Sequence, residues 1–591
     1  MSASTPDHPP SAASARAALP VLGTYLKPLW PRALLMAALL LGSVGLNLLA
    51  PQVLRAFLDA ATNHDVNVGV LVRLAGVFLG VSIAVQLLSA GATYAGADVG
   101  WAATNRLRAD LARHLLGLDM SYHKDRTPGE MIERIDGDVT ALSNFFSQFA
   151  VRVFGALLLL LGALVMFWRE DWRLGLGISV FAVGTLFALN VARKPGVEPT
   201  RREREASARL FGFIEERLTG LDDVRALGAG HHTLNAFLRV QRDFYTRARA
   251  AWLARSTVWQ LSFFLFTLAY AIVIASAVGL YAAGAITLGT AFLLYQYMTM
   301  IDEPINQLAQ QLQDLQKAGA SLIRVSEILA LRSDLPGGER PVPVGALEVR
   351  FEHVQFAYGD ASVLQDVHLT IPAGHTVGLL GRTGSGKTTL TRLLSRLYDP
   401  TSGAVILGGV DTRDADLHAL RERVAVVTQD VQLFQASVRD NLTLFDPSLP
   451  DARITEALTE VGLDSWLAGL PEGLHSSLPA GSLSAGEAQL LAFARVLLRD
   501  PGLVILDEPS SRLDPATEAK LTAAMRRLTE GRTAIIIAHR LDTVARVDDI
   551  LVLGEGRVLE FAPRARLAAN PRSQYAALLR AGAHHAEEVL A

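Results

Sequence analysis

The sequence predicts a two-part fold: an α-helical membrane bundle of six long helices, followed by an α/β P-loop domain. Half of the 591 residues are hydrophobic and only 19% are charged, a balance typical of membrane proteins. Six long apolar segments precede residue 310, and a glycine-rich stretch, 381–388, lies between a strand-like run and a helix-like run. These observations divide the chain into a membrane part and a phosphate-binding part.

The six apolar segments have lengths suited to membrane-spanning helices. A hydrocarbon core of about 30 Å requires roughly 20 helical residues. A buried helix of a soluble protein would show a polar face, but residues 157–161 are all leucine and their neighbours show no such face. The predicted spans are residues 33–58, 74–99, 151–168, 174–192, 258–283 and 290–308.

Basic residues predict the orientation of these spans. The two long links, between spans two and three and between spans four and five, are rich in Lys and Arg, whereas the short connections 59–71, 169–173 and 283–289 carry at most two each. The long links, both termini and the phosphate loop are therefore expected in the cytoplasm. Because the links keep helical apolar spacing, we expect helices that extend from the membrane and turn back near 122–129 and 220–225.

Composition also predicts the domain boundaries. We expect a disordered N-terminus at 1–20, a transmembrane domain at 21–332, a Pro- and Gly-rich linker at 333–345, the α/β domain at 346–584 and a tail at 585–591. The chain has no cysteine, which excludes disulfides, thiol catalysis and cysteine-ligated metals. A net charge of -3 gives no indication of nucleic-acid binding.

The glycine-rich stretch fits the phosphate-loop pattern G-x-x-x-x-G-K-[ST] at every fixed position. Its glycines let backbone N–H groups point at phosphate oxygens, and the positive end of the following helix faces the same point. Lys387 adds a positive charge for the outer phosphates, and the Thr388 hydroxyl can ligate Mg²⁺. The predicted phosphate-binding residues are Gly381, Arg382, Thr383, Gly384, Ser385, Gly386, Lys387, Thr388 and Thr389.

Two further apolar runs end in polar residues suited to phosphate chemistry. The run 503–506 is followed by Asp507, a candidate Mg²⁺ ligand, and by Glu508, a candidate general base for the attacking water. The run 533–538 is followed by His539, which could hydrogen-bond a γ-phosphate. Taken alone, a histidine at a strand end is more often structural.

Together these residues resemble the nucleotide-binding domain of ABC transporters, and six spans followed by one such domain resemble an exporter-type half-transporter. The resemblance implies that two such domains enclose two ATP molecules, each between the phosphate loop of one chain and the signature motif of the other. It also implies that Tyr358 stacks on adenine and that Gln429 contacts Mg²⁺ and the transmembrane interface. In the signature stretch 483–487, it implies that Ser484 and Gly486 contact the γ-phosphate and that Glu487 occupies the nucleotide-binding position of the family's glutamine. It also identifies Asp514 with the D-loop and His539 with the switch histidine.

The signature stretch departs from the family pattern LSGGQ. Ala485 replaces the first of the two glycines and adds a Cβ close to phosphate, and Glu487 replaces the glutamine and adds a negative charge. The acidic residue that the family carries shortly before the signature is absent from 473–483. In the family, chains that combine an intact phosphate-loop site with an altered signature occur as subunits of heterodimers. The pattern therefore favours a heterodimer over a homodimer in which the two substitutions are tolerated.

The resemblance implies ATP-driven export of a hydrophobic or amphipathic substrate by alternating access, with ATP and Mg²⁺ as cofactors. The expected partners are a second half-transporter, membrane lipids and a small amphipathic substrate, and no nucleic acid. Two alternatives remain open: a low-turnover regulatory subunit and an importer built on the exporter layout. Asp302 and Glu303 in span six either face a cargo cavity or mark the inner, water-exposed end of that span.

Overall fold

A computed structural model describes residue 20 and residues 23–62, 67–479, 481–507, 515–538 and 541–581. The chain forms two compact units. The first contains the residues up to Gly117 together with Arg126–Leu331, and the second contains Leu118–Asp125 together with the chain from Arg332 onward. The predicted domain boundaries themselves stay predictions, and the expected disordered N-terminus and tail lie almost entirely outside the described residues.

Long helices make up the first unit, as the sequence predicts. Up to residue 330 the described helices are α1 (Trp30–Ala61), α2 (Val68–Gly117), α3 (Met120–Lys124), α4 (Pro128–Glu170), α5 (Trp172–Thr219), α6 (Leu221–Ala226), α7 (Gly230–Ala282) and α8 (Leu288–Ala330). The short helices α3 and α6 occupy the two predicted turns. The helical extensions of the long links are confirmed, because α2, α5 and α7 each continue well past the predicted span.

Five of these helices, α1, α2, α4, α5 and α7, are long and apolar enough to cross a membrane by length and composition. The sixth predicted span falls on α8, which is 43 residues long but carries Gln296, Asp302 and Glu303 at that level. Large apolar side chains are exposed on the surface of the unit, among them Leu87, Val183 and Phe263. An apolar surface of this kind is suited to contact with lipid. The predicted fold class is confirmed.

The space between the helices of the first unit is closely packed at its centre. Phe167 of α4 lies against Tyr297 of α8 with ring centroids 6.1 Å apart, and both side chains are fully buried. The ends of the helices follow the usual capping chemistry: Asp171 accepts from the Arg173 N–H at 2.7 Å at the start of α5. Within α4, residues Glu133–Asp138 and Phe145–Phe154 adopt π-helical turns, which local sequence periodicity does not predict.

The second unit contains two β-sheets and their helices. Its strands are β1 (Val349–Tyr358), β2 (Ala361–Ile371), β3 (Thr376–Leu380), β4 (Ser402–Leu407), β5 (Val410–Asp411), β6 (Val424–Val427), β7 (Leu503–Asp507), β8 (Thr533–Ile537), β9 (Asp549–Gly554) and β10 (Arg557–Pro563). Its helices are α9 (Lys387–Leu394), α10 (Leu417–Arg423), α11 (Val438–Thr443), α12 (Asp451–Glu460), α13 (Asp464–Ala468), α14 (Ala485–Arg499), α15 (Pro515–Thr529) and α16 (Arg564–Ala569).

The six-stranded sheet places the phosphate loop, Gln429 and Asp507 at one edge. Its strand order is β10-β9-β3-β8-β7-β6, and the strands from β9 to β6 pair in parallel. Strands β7 and β8 are buried along nearly their whole length, which explains their continuous apolar sequences. Because parallel strands end at the same edge, the C-terminal ends of β3, β8, β7 and β6 lie side by side.

Candidate functional site

The phosphate loop connects β3, near the centre of this sheet, to the N-terminus of α9. Gly384 and Gly386 have φ values of 83° and 101°, which lie in the left-handed region that glycine adopts without strain. At Gly381, a Cβ would lie 2.4 Å from the Leu553 carbonyl oxygen and 2.6 Å from Ser385 Oγ. The loop therefore requires glycine at these positions, as the motif predicts.

Two side chains of the loop are suited to phosphate. Ser385 is buried, and within the described residues its Oγ has no hydrogen-bond partner. A buried hydroxyl without a partner is costly unless a ligand supplies one. The Lys387 ammonium donates to the carbonyl oxygens of Gly381 at 2.7 Å and Arg382 at 3.2 Å, so the positive charge lies inside the loop. These features fit a bound triphosphate.

The neighbouring strand ends bring Asp507 and Gln429 to the same edge. Asp507 is the last residue of β7, is half-buried and pairs in register with Ile537 at the end of β8. Gln429 follows β6 by two residues and is exposed. Three predicted residues, Glu508, Asp514 and His539, lie outside the described residues, so their roles stay predictions.

Tyr358 lies at the end of β1 and is held by a small aromatic cluster. Its hydroxyl accepts a hydrogen bond from Arg392 Nη1 at 3.2 Å, which ties it to α9 directly after the phosphate loop. Phe356 and Tyr398 pack at right angles against its ring, with centroids 4.8 and 5.2 Å away. An aromatic ring fixed beside the loop helix is well placed to stack on a nucleotide base.

The signature stretch forms the N-terminus of α14, and its side chains bond to one another. Ser484 is the N-cap, and its Oγ accepts from the Glu487 N–H at 3.3 Å. The Glu487 carboxylate in turn accepts from the Ser484 N–H and from Ser484 Oγ, both at 2.8 Å. This is a capping box. Sequence reasoning missed it, although the spacing Ser-x-x-Glu before an apolar run is its signal.

Comparison with known proteins agrees with this arrangement. Residues 33–304 match the ABC transporter transmembrane region, and residues 364–511 match the ABC transporter domain. An uncharacterized ABC transporter ATP-binding protein of Bacillus subtilis, YknV, is 31% identical over 459 residues, which span 77% of this chain and 76% of that protein. The chain belongs to the ABC transporter family. It is accordingly an ATPase and a multi-pass protein of the cell membrane, with its ATPase domain in the cytoplasm.

Two further similarities concern the whole transporter layout. A fatty acid ABC transporter ATP-binding/permease protein of Mycobacterium tuberculosis is 32% identical over 488 residues, which span 80% of this chain and 76% of that protein. A structure of a bacterial Atm1-family ABC exporter with ATP bound superimposes with a TM-score of 0.79 at 22% identity, covering 93% of this chain and 98% of that one. This ABC transporter therefore has the exporter-type fold, as the sequence predicts.

Proposed function

We propose that this ABC transporter is one half of an ATP-driven exporter that moves a hydrophobic or amphipathic substrate across the cell membrane. The observation that carries the proposal is the shared sheet edge where the phosphate loop, Asp507 and Gln429 follow parallel strands. These residues would provide phosphate binding and metal binding from one side of the sheet. The long helices on either side of α3 and α6 continue from the membrane spans into the cytoplasm.

In the proposed reaction, the loop N–H groups, Lys387 and the α9 N-terminus bind the β- and γ-phosphates of ATP. Thr388 and Asp507, with Gln429, would hold Mg²⁺, which offsets phosphate charge when bound. Glu508 takes a proton from the attacking water, and His539 donates a hydrogen bond to the γ-phosphate. Closure of two ATPase domains on ATP, and reopening after hydrolysis, would drive alternating access of the membrane helices.

The capping box supports a heterodimer. In the composite site, phosphate oxygens of the partner's ATP would approach the Ser484 hydroxyl and the first N–H groups of α14. The Glu487 carboxylate already accepts from both Ser484 donors, and a second anion cannot share them without repulsion. The chain then offers a weak signature to its partner, while its own phosphate loop needs an intact signature from a different chain.

The experiment that tests this assembly is ATP hydrolysis by the purified single chain, compared with the complex that copurifies from detergent-extracted membranes. We expect slow turnover by the chain alone and brisk turnover by a complex with a second half-transporter. Brisk hydrolysis by the chain alone would contradict the heterodimer and leave the homodimer. The same pull-down identifies the partner chain directly.

Substituting Glu487 with glutamine is expected to raise ATP turnover by the single chain several-fold. Glutamine retains the capping box, so the stability of α14 is preserved, while the charge that opposes phosphate is removed. Glu487→Ala serves as the control, since it removes the charge and also the Glu487 half of the capping box, while Ser484 remains the N-cap. Phosphate release and thermal unfolding would be measured for both. An unchanged rate in Glu487→Gln would show that the charge does not limit turnover.

Side chains of α7 and α8 support an amphipathic substrate. Tyr270 and Tyr295 lie with ring centroids 5.9 Å apart, and Asp302 accepts from Asn306 Nδ2 at 2.7 Å. Asp302 is half-buried, whereas Glu303 is exposed and pairs with Gln307 at 2.7 Å. Aromatic rings near a carboxylate suit a molecule with both apolar and polar parts. The similarity to a fatty acid transporter makes fatty acids one cargo to test.

A further inference from the structure

The short helix α3 joins two long membrane helices but belongs to the ATPase unit, which also contains Leu118–Asp125. Its N-cap is Asp119, whose Oδ1 accepts from the N–H groups of Ser121 at 3.1 Å and Tyr122 at 3.3 Å. The other oxygen, Oδ2, accepts from the Asp334 N–H at 2.7 Å. One carboxylate thus fixes α3 to the chain that follows α8.

The charge of Asp119 is favoured by these contacts. Burial opposes ionisation, but the hydrogen bonds from the Ser121 side chain and from the N–H groups of Asp334, Tyr122 and Ser121 hold the pKa of this carboxyl below its ordinary value. Asp119 is therefore ionised at neutral pH, and the attachment of α3 persists under physiological conditions.

Helix α3 reaches the aromatic cluster around Tyr358. The Tyr398 hydroxyl donates to the Met120 carbonyl oxygen at 3.4 Å. At the other end of α3, the Lys124 ammonium lies 3.9 Å from the centroid of the Tyr358 ring. This is cation–π distance. Since Arg392 holds the Tyr358 hydroxyl at 3.2 Å, the ring presents a fixed face to the lysine.

We propose that Lys124 competes with the adenine base for the face of Tyr358, and so sets nucleotide affinity and senses nucleotide occupancy from the segment Leu118–Asp125. The inference rests on the proposed function, in which Tyr358 stacks on adenine. An ammonium and a flat base cannot both lie within about 4 Å of the same ring face. Stacking of a base on an aromatic ring is generally stronger than an exposed cation–π contact, so adenine displaces Lys124 when ATP binds.

Displacement of Lys124 acts on a segment that is covalently continuous with two membrane helices. Leu118 follows α2 at Gly117, and Asp125 leads to α4 at Pro128. Releasing the lysine removes one of the contacts that hold this segment on the ATPase domain, while Asp119 keeps the other end attached. Base binding would thereby change how α3 is held before any phosphate is cleaved.

The test is nucleotide affinity in full-length, detergent-solubilised protein in the assembly in which it is extracted. The probes are Mg-AMP-PNP, a non-hydrolysable ATP analogue, and Mg-tripolyphosphate, which lacks the base. We expect Lys124→Met, which keeps side-chain length but removes the charge, to lower the Kd for AMP-PNP about two- to fivefold. The Kd for tripolyphosphate should not fall. Lys124→Gln should have the same two effects as Lys124→Met. Lys520→Met on α15 is the control and should change neither Kd.

A double-mutant cycle locates the effect at the ring. In a Tyr358→Leu background, Lys124→Met should no longer tighten AMP-PNP binding, because the competed surface is gone. The inference is overturned if Lys124→Met leaves the AMP-PNP Kd unchanged or weakens it, or if tripolyphosphate tightens equally. If the wild-type assembly binds no AMP-PNP, the proposed nucleotide site fails instead, and the inference fails with it.

Discussion

Replacing Lys387 with alanine is expected to lower ATP turnover by at least about 10²-fold and to prevent tight nucleotide binding. The Lys387 ammonium lies inside the phosphate loop, where it donates to the carbonyl oxygens of Gly381 and Arg382. Its positive charge is therefore placed where the phosphates of ATP would bind. Without it, the negative charge of the triphosphate would be balanced by backbone N–H groups and metal alone.

The control for this substitution is a check that the variant still folds. The variant should still insert into the membrane, and its melting temperature should stay close to that of the wild type, because the two carbonyl oxygens can accept from water instead. Phosphate release, nucleotide binding and thermal unfolding would be measured on the same detergent-purified samples. Full turnover in Lys387→Ala would refute the role assigned to this lysine, whatever its effect on stability.

Replacing Glu508 with glutamine is expected to lower turnover by about 10²–10⁴-fold while preserving nucleotide binding. Glutamine keeps the size of the side chain but cannot take a proton from water. The position follows Asp507, the last residue of β7, so the change should leave the proposed Mg²⁺ ligand and the phosphate loop unaltered. The protein should then retain Mg-ATP through gel filtration without releasing phosphate.

The contrast between the two variants is more informative than either alone. Lys387→Ala should lose binding and turnover together, whereas Glu508→Gln should lose turnover only. If Glu508→Gln hydrolysed ATP at the wild-type rate, the general base would have to be another group. If it lost binding as completely as Lys387→Ala, the carboxylate would serve the fold or the metal, and not proton transfer.

Features set by local sequence were predicted well. The strand–loop–helix unit around Gly381 follows from contiguous residues, because a strand buried on both faces reads as an apolar run and the motif fixes the turn. The start of α14 at the signature and the long cytoplasmic extensions of α2, α5 and α7 follow from helical periodicity. In each case neighbouring residues carry the whole signal.

Features that depend on distant residues were not predictable in this way. Lys124 and Tyr358 are far apart in sequence, so their contact follows only from the placement of α3 on the ATPase unit.

The π-helical turns within α4 differ from regular helix by one residue per bonded ring, too little to show in apolar spacing. The polar residues of α8 make it less apolar than the other spans, since Gln296, Asp302 and Glu303 interrupt its hydrophobic run.

Nucleotide at the phosphate loop is expected to rearrange the membrane helices, and the cysteine-free chain allows this to be measured directly. A single cysteine at Tyr295 on α8, a position whose side chain is 38% exposed, would be labelled by a membrane-impermeant maleimide in sealed vesicles of known orientation. In the Glu508→Gln background, we expect labelling from the cytoplasmic side without nucleotide and from the outer side with Mg-ATP, and no such change in Lys387→Ala. Labelling that is the same with and without Mg-ATP would contradict the account.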